Sequence, residues 1–145
     1  MVACGDADGA VTGNTRRFGA SLEKIKQVVD VRKGEIMFGL NMIVHKGRTI
    51  FIGDTSVHEY PTSEQMAAMA ISTARVVRLF GFDPKVAFVS HSTFGQPVTS
   101  RTKHIKKAVD ILKDNKVDFE FDGDMQPDVA LNPEYEELYP FSKIV

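Results

Sequence analysis

Hydroxyl, imidazole and cationic side chains crowd the end of one apolar segment. The run 86–89 (VAFV) is followed at once by Ser90-His91-Ser92-Thr93, then by a glycine and a proline, and then by a basic segment. Serine and threonine hydroxyls donate hydrogen bonds, and glycine lets a ligand approach the backbone closely. This stretch therefore predicts a site suited to a phosphate or a carboxylate.

We expect the ligand contacts to follow the ends of two neighbouring strands. A helix capped by Thr99 or Ser100 would direct its free N–H groups toward the same strand end. Serine and threonine at strand ends also cap helices, and cations on a helix often form a solvated face, so a purely structural role stays open. The candidate contacts are Ser92, Thr93, Gly95, Arg101, Lys103, Gln126 and Asp128.

Other polar clusters lack the spacing of a metal or catalytic motif. GDADG at 5–9 begins like a calcium loop, but the twelfth position from Asp6 is Arg17 rather than a carboxylate. DGDMQPD fails the same comparison, since its twelfth position is Pro133, and turn formation explains its aspartates and glycine. The histidines lack H-x-x-x-H spacing, and Cys4 has no nearby cation pattern. We predict no metal ligand and no catalytic role for Cys4.

Composition limits the classes of partner. The 145 residues are 43% hydrophobic and 26% charged, which is ordinary for a globular chain, and the net charge is −1. This small net charge produces no overall electrostatic potential that would attract nucleic acid or an anionic membrane. The sequence contains no apolar run of about 20 residues and no signal peptide. A single cysteine fits a reducing compartment. We expect a cytoplasmic protein with no nucleic-acid or membrane partner.

The order of elements predicts an α/β fold. Residues 21–31 read as a helix with Ser21 as its N-cap, and a second helix begins with a capping box between Thr62 and Gln65. Gly81 should end that second helix. The core positions predicted for the first helix are Phe18, Leu22, Ile25 and Val29; those for the second are Met66, Met69, Ala70, Thr73, Val77 and Phe80. On a third predicted helix, 101–115, the core positions are Ile105, Ala108, Val109 and Leu112.

The remaining elements complete an alternation of strands and helices. The predicted segments are a hairpin of strands 36–45 and 48–54 turning at Lys46-Gly47, an apolar strand 85–90 buried on both faces, a helix 101–115, a strand 118–121, a loop over DGDMQPD and a short helix near residue 128. Such alternation favours a largely parallel sheet. Sheets of that kind bind ligands at the carboxyl ends of their strands.

Several stretches together resemble one family. GDADG, IFIGDTSVHEYPTSEQ, the FGFDP turn, SHSTFG and FDGDMQPDVAL follow one another as in phosphotransacetylases, and equally as in the phosphotransacetylase-related domain of bacterial NADP-dependent malic enzymes. The resemblance implies a three-layer lobe with helices on both faces, like a lobe of isocitrate and isopropylmalate dehydrogenases with an added hairpin. It also implies that residues 1–145 form a single partial domain, with a further strand just after Val145.

One departure from the family pattern decides the expected function. Phosphotransacetylases usually carry Ser-Thr-Lys-Gly-Ser in the strand-end loop, whereas this chain has Ser92-Thr93-Phe94-Gly95-Gln96. Phenylalanine removes a cation that acyl-phosphate chemistry would use. The resemblance also places the Ser-Arg and Asp residues that assist acyl transfer in a part of the family that this chain lacks.

The resemblance therefore implies a regulatory lobe that is not itself catalytic. Its parent would be an NADP-dependent malic enzyme, which decarboxylates malate oxidatively to pyruvate. The lobe would sense acetyl-CoA or a related acyl-CoA or phosphate ligand and support a homo-oligomer, while NADP and Mg²⁺ or Mn²⁺ would bind elsewhere in the parent. Two alternatives stay open: part of a true phosphate acetyltransferase, which makes acetyl phosphate and CoA from acetyl-CoA and phosphate, and a dimerisation module with a vestigial cleft.

Overall fold

The computed structural model describes residues 1–144, which divide into two compact units. The first unit, Met1–Ile36, holds a short 3-10 helix, Val2–Cys4, and helix α1, Phe18–Lys26. Helix α1 starts earlier and ends earlier than expected, and its N-cap is Arg17, so the Ser21 cap is wrong. The apolar stripe predicted for this helix is not a core, because no residue of α1 is buried.

The second unit begins at Met37 and alternates strands with helices as the sequence predicted. Its elements are β1 (Leu40–His45), β2 (Arg48–Gly53), α2 (Ser63–Leu79), β3 (Lys85–Val89), α3 (Ser100–Asp114), β4 (Glu120–Met125) and α4 (Pro127–Leu131), with a 3-10 helix at Pro133–Tyr135. The α/β class is confirmed. No helix within residues 1–144 combines the length and the apolar character needed to cross a membrane.

The four strands form two separate two-stranded sheets rather than one largely parallel sheet. Strands β1 and β2 pair antiparallel and turn at Lys46 and Gly47, which have φ values of 47° and 79°. Strands β3 and β4 pair parallel, as expected for strands joined through a helix. Strand β3 has half-buried middle residues and exposed ends, so the prediction of burial on both faces is wrong.

The core of the second unit lies where α2 and α3 pack over β4. It is formed by Ala67, Ala70, Val109, Leu112 and Phe121. The capping box of Thr62 and Gln65 is present, and Gly81 has the left-handed φ of 82° that follows many helices. Among the expected core positions, Met69, Ala70 and Val77 on α2 and all four on α3 are buried, whereas Met66 and Thr73 are half-buried and Phe80 is 55% exposed. Its ring instead contacts that of Phe51 on the hairpin, with centroids 5.5 Å apart.

Strand β4 extends through the segment that the sequence predicted to be a loop. Asp122 pairs with Ala87 and Gly123 pairs with Phe88 in the parallel ladder, whereas Asp124 lies at a shift of the register, before Met125 pairs with Val89. A side chain at Gly123 would bring its Cβ within 2.8 Å of the Phe88 carbonyl oxygen, which explains the glycine. The interpretation of these residues as a turn is wrong, because Asp122 and Gly123 lie in a strand that approaches β3 closely.

The connection from β2 to α2 is organised by one buried carboxylate. Asp54, whose side chain is 4% exposed, accepts hydrogen bonds from the backbone N–H groups of Val57 and His58 at 2.9 and 3.0 Å. The His58 ring lies 2.5 Å from the same carboxylate, and Gly39 donates at 3.4 Å. Burial opposes ionisation of Asp54, but hydrogen bonds from the Val57 N–H, the His58 ring, and the N–H groups of Ser56 and Gly39 hold its pKa below the ordinary value of 3.8.

Replacement of Asp54 should make the protein less stable and less sensitive to acid. Because the folded-state pKa is lowered, the contribution of Asp54 is fully present above about pH 4 and is lost as the pH falls through the folded value. We expect Asp54→Asn to lower the free energy of unfolding near neutral pH by about 1–3 kcal/mol and to flatten its fall below about pH 4. Denaturant unfolding at several pH values measures both effects.

Asp83→Asn provides the matched control, since Asp83 is an exposed aspartate in the connection after α2. That variant should retain the stability and the pH profile of the original protein. An Asp54→Asn variant that also retained both would contradict the role assigned to this carboxylate.

Candidate functional site

The parallel pairing of β3 and β4 brings two polar segments together at the carboxyl ends of the strands. The Ser90 N–H donates to the Met125 carbonyl at 3.0 Å, and the Phe94 N–H donates to the Asp124 carbonyl at 2.6 Å. The loop 90–96 therefore folds over the end of β4. The placement expected for the hydroxyl-rich segment, at the end of a strand, is the one observed.

Asp124 occupies the centre of this loop, a role that the sequence did not reveal. It is 3% exposed, and its carboxylate accepts from the Ser90 hydroxyl at 3.1 Å and from the Gly95 N–H at 2.9 Å. The Ser92 hydroxyl makes a short hydrogen bond to the same carboxylate. The sequence signal that could have indicated this role was a hydroxyl-rich strand end followed by a second strand end that contains an aspartate.

The position of Ser92 differs from the one expected for a ligand contact. The residue is fully buried, and its hydroxyl is committed to Asp124. The Gly95 N–H is committed to the same carboxylate. Both residues therefore hold the loop closed in this structure, and neither lines the neighbouring cleft.

An open cleft of about 450 Å³ lies beside the loop. Three of the predicted contacts, Thr93, Gln126 and Asp128, line it. The Gln126 side chain donates to the His91 carbonyl at 3.1 Å, which joins the end of β4 to the loop. The other lining residues are Gln96, Val129, Tyr135 and Tyr139.

The cleft has an unexpected charge. Asp128 is the one charged residue among those that line it, and within residues 1–144 no lysine, arginine or histidine joins it. Arg101 instead lies over the ring of Tyr60, 4.7 Å from its centroid, and Lys103 is exposed on α3. The structure thus does not bring these two cations to the cleft formed by this chain.

The N-terminus of α3 is closed by its own side chains. Thr99 rather than Ser100 is the N-cap, and it forms a capping box with Thr102. The Thr102 N–H donates to the Thr99 hydroxyl at 3.3 Å, and the Thr99 N–H donates to the Thr102 hydroxyl at 2.9 Å. Part of the backbone N–H set expected to face a ligand is therefore already satisfied.

Phe94 anchors the loop to the C-terminal segment. Its ring centroid lies 5.4 Å from that of Tyr139 and 4.8 Å from that of Phe141. Tyr139 also lines the cleft, so this aromatic cluster forms one side of it. Residues 1–144 contain no group of three His, Cys, Asp or Glu side chains that could hold a metal ion.

Comparison with known sequences identifies two kinds of relative. The sequence profile described as phosphate acetyl/butaryl transferase matches residues 1–144. An NADP-dependent malic enzyme of Rhizobium meliloti (strain 1021) is 43% identical over 144 residues, which are 99% of this chain and 19% of that protein. A phosphate acetyltransferase of Nitratidesulfovibrio vulgaris is 31% identical over 133 residues, which are 91% of this chain and 19% of that protein.

Solved structures give the same grouping. A phosphotransacetylase from Streptococcus pyogenes superposes with a TM-score of 0.86 at 26% identity, covering 99% of this chain and 45% of the other. A phosphotransacetylase from Staphylococcus aureus gives a TM-score of 0.78 at 26% identity, with the same coverage. The chain thus spans about a fifth of the curated relatives that it matches and less than half of these solved chains.

Proposed function

The chain belongs to the phosphate acetyl/butaryl transferase family, and we propose that it is the regulatory part of an NADP-dependent malic enzyme. The parent would decarboxylate malate oxidatively to pyruvate in the cytoplasm. Its NADP and its Mg²⁺ or Mn²⁺ would bind in regions outside this chain. The malic enzyme relatives, which reach 43% identity across 99% of the chain, support this choice over a free-standing transferase.

Phe94 is the observation that carries the non-catalytic part of the proposal. It stands where the family resemblance expects a lysine, and its ring packs against Tyr139 and Phe141 instead of presenting a charge. Acyl-phosphate chemistry depends on fixed positive charge near the transferring group. The cleft beside this loop has a carboxylate, Asp128, as its charged lining residue. We infer that this lobe binds its ligand without transferring an acyl group.

The ligand that we propose is acetyl-CoA or a related acyl-CoA or phosphate compound. The cleft offers hydroxyl and amide groups from Thr93, Gln96 and Gln126 together with two tyrosines. Neutral groups of these kinds suit the amide and thioester parts of such a molecule. In the longer protein, further strands would complete a three-layer lobe like that of isocitrate and isopropylmalate dehydrogenases, and added cations would meet the phosphates.

Calorimetry of the full-length protein with acetyl-CoA tests the binding proposal. We expect saturable heat at or below millimolar ligand, a changed rate of malate oxidation, and no acetyl phosphate from acetyl-CoA and phosphate. Gln126→Ala should weaken binding several-fold because it removes one cleft amide. Gln27→Ala, at an exposed glutamine that does not line the cleft, should leave binding unchanged.

Absence of heat at millimolar acetyl-CoA would contradict the sensing role. Formation of acetyl phosphate by the full-length protein would instead support the alternative, a working phosphate acetyltransferase.

A second function, support of a homo-oligomer, is favoured by the β1–β2 hairpin. Phe51 on one face packs against Phe80 and Phe82, with ring centroids 5.5 and 6.3 Å apart. The opposite face carries Ile43 and Ile52, which are 46% and 38% exposed, with Ile50 paired across from Ile43. Apolar side chains that stay exposed on a strand pair commonly mark a contact surface. We propose that this isoleucine face meets a second copy of the chain.

Substitution on that face should change the mass of the assembly. Ile43→Lys places a charge among the isoleucines, so we expect light scattering to report a smaller oligomer. Val98→Lys is the matched control, because Val98 is likewise a solvent-exposed aliphatic residue, at 64%, but lies outside the hairpin, between β3 and α3. Equal effects of both variants, or no effect of Ile43→Lys, would argue against the isoleucine face as the contact.

A further inference from the structure

The hydrogen-bond donors of the loop 90–95 converge on a single carboxylate. Two hydroxyls, from Ser90 and Ser92, and one backbone N–H, from Gly95, all donate to Asp124. Ser90 is itself held by the Ser92 N–H, which donates to its hydroxyl oxygen at 3.0 Å. Hydroxyl and backbone N–H groups converging on one point are also what a protein uses to bind a free carboxylate or phosphate.

No cation neutralises this carboxylate within the described residues. The ion pairs found in residues 1–144 do not include Asp124, although it is 3% exposed. A buried charge without a counter-ion depends on its hydrogen bonds for compensation. The loop donors therefore stabilise the Asp124 carboxylate in the way that they would otherwise stabilise a bound anion.

The occupied donors lie next to the cleft. Thr93, within the loop, lines the cleft, and its hydroxyl accepts from the Gln126 N–H at 3.4 Å. Gln126, two residues after Asp124, lines the cleft as well. The Ser92 hydroxyl and the Gly95 N–H do not line the cleft, so an anionic group in the cleft would gain these donors only by displacing the Asp124 carboxylate.

We propose that the loop 90–95 is an anion site occupied by the protein's own Asp124. The carboxylate takes the place of a ligand carboxylate or phosphate, and the ligand gains the donors by displacing it. Asp124 is thus an inhibitory contact that weakens anion binding in the resting protein. The proposal deepens the proposed function, on which it rests for the identity of the ligand, but the anion site can be tested separately.

Removal of the carboxylate should open the site to small anions. In the full-length protein, Asp124→Ala frees the Ser92 hydroxyl and the Gly95 N–H and creates space for a carboxylate group, while the Ser90 hydroxyl keeps the Ser92 carbonyl as an alternative acceptor at 3.2 Å. Anions that bind the folded state raise its melting temperature as their concentration increases. We expect acetate to bind Asp124→Ala at least about tenfold more tightly than the original protein, in both thermal unfolding and calorimetry.

Inorganic phosphate, tested in parallel, distinguishes the two ligand chemistries. Binding of acetate alone indicates a carboxylate site, and binding of both anions indicates a site that also accepts phosphate. If folded Asp124→Ala binds neither anion more tightly than the original protein, the proposal is overturned.

Two control variants separate the donor site from a general change in charge. Asp128→Ala removes the same charge from the cleft but leaves Asp124 on the loop, so it should gain no acetate binding. The double variant Asp124→Ala with Ser92→Ala lacks one donor and should lose most of the gain. An equal gain in Asp128→Ala, or a full gain in the double variant, would overturn the proposal.

Loss of folding in Asp124→Ala is also informative. If Asp124→Ala does not fold, the proposal predicts that acetate restores its folded state and that equimolar chloride does not. Asp124→Ser, whose hydroxyl can contact the loop, should respond to these two anions in the same way. Failure of acetate to restore either variant would overturn the proposal. Acetate binding in Asp124→Ala without any acetyl-CoA binding in the original protein would count against the proposed function alone. Acetyl-CoA binding in the original protein without acetate binding in Asp124→Ala would count against the anion site alone.

Discussion

The hydrogen bonds between the Asp124 carboxylate and the loop after β3 determine the form of the candidate site. Unpaired burial of this charge would be costly, so its donors must be present together. They come from the Ser90 and Ser92 hydroxyls and the Gly95 N–H, while the Phe94 N–H reaches the Asp124 carbonyl. The end of β4 and the loop therefore form one unit, and the shape of the cleft follows from it.

This arrangement gives the strand ends a different chemistry from the one that their residue types suggest. Serine, threonine and glycine at the end of β3 are residue types suited to binding an anion, but the anion that they hold is the Asp124 carboxylate of the same chain. Phe94 turns the remaining side of the loop into an aromatic contact with Tyr139 and Phe141. Under the proposed function, a ligand would act by altering this loop, and Phe94 would leave the loop without a fixed positive charge of the kind that acyl-phosphate transfer uses.

Local signals in the sequence predicted much of the fold. The Thr62 capping box, the Lys46-Gly47 turn and the apolar stripe of α3 depend on neighbours within a few residues, and all three are present. The errors at the end of β4 arose where distant contacts decide the structure. Gly123 is required by the approach of Phe88, and Asp124 is required by a loop about 30 residues earlier, so neither forms the expected turn.

The candidate site was predicted in the same uneven way. Thr93, Gln126 and Asp128 meet at one cleft because the ends of parallel neighbours adjoin, which is a general rule of such sheets. The positions of Arg101 and Ser92 depend on particular partners, Tyr60 and Asp124, that no spacing in the sequence indicates. Residue types identified the region, and specific pairings decided which side chains face the cleft.

A double-mutant cycle between Ser92→Ala and Asp124→Asn tests the central claim most directly. If the buried carboxylate and its loop donors act as a unit, the free-energy costs of the two substitutions should not add. The coupling energy from denaturant unfolding should then be about 1–3 kcal/mol. A coupling energy near zero would mean that the loop and the end of β4 are stabilised independently, which would contradict this account of the site.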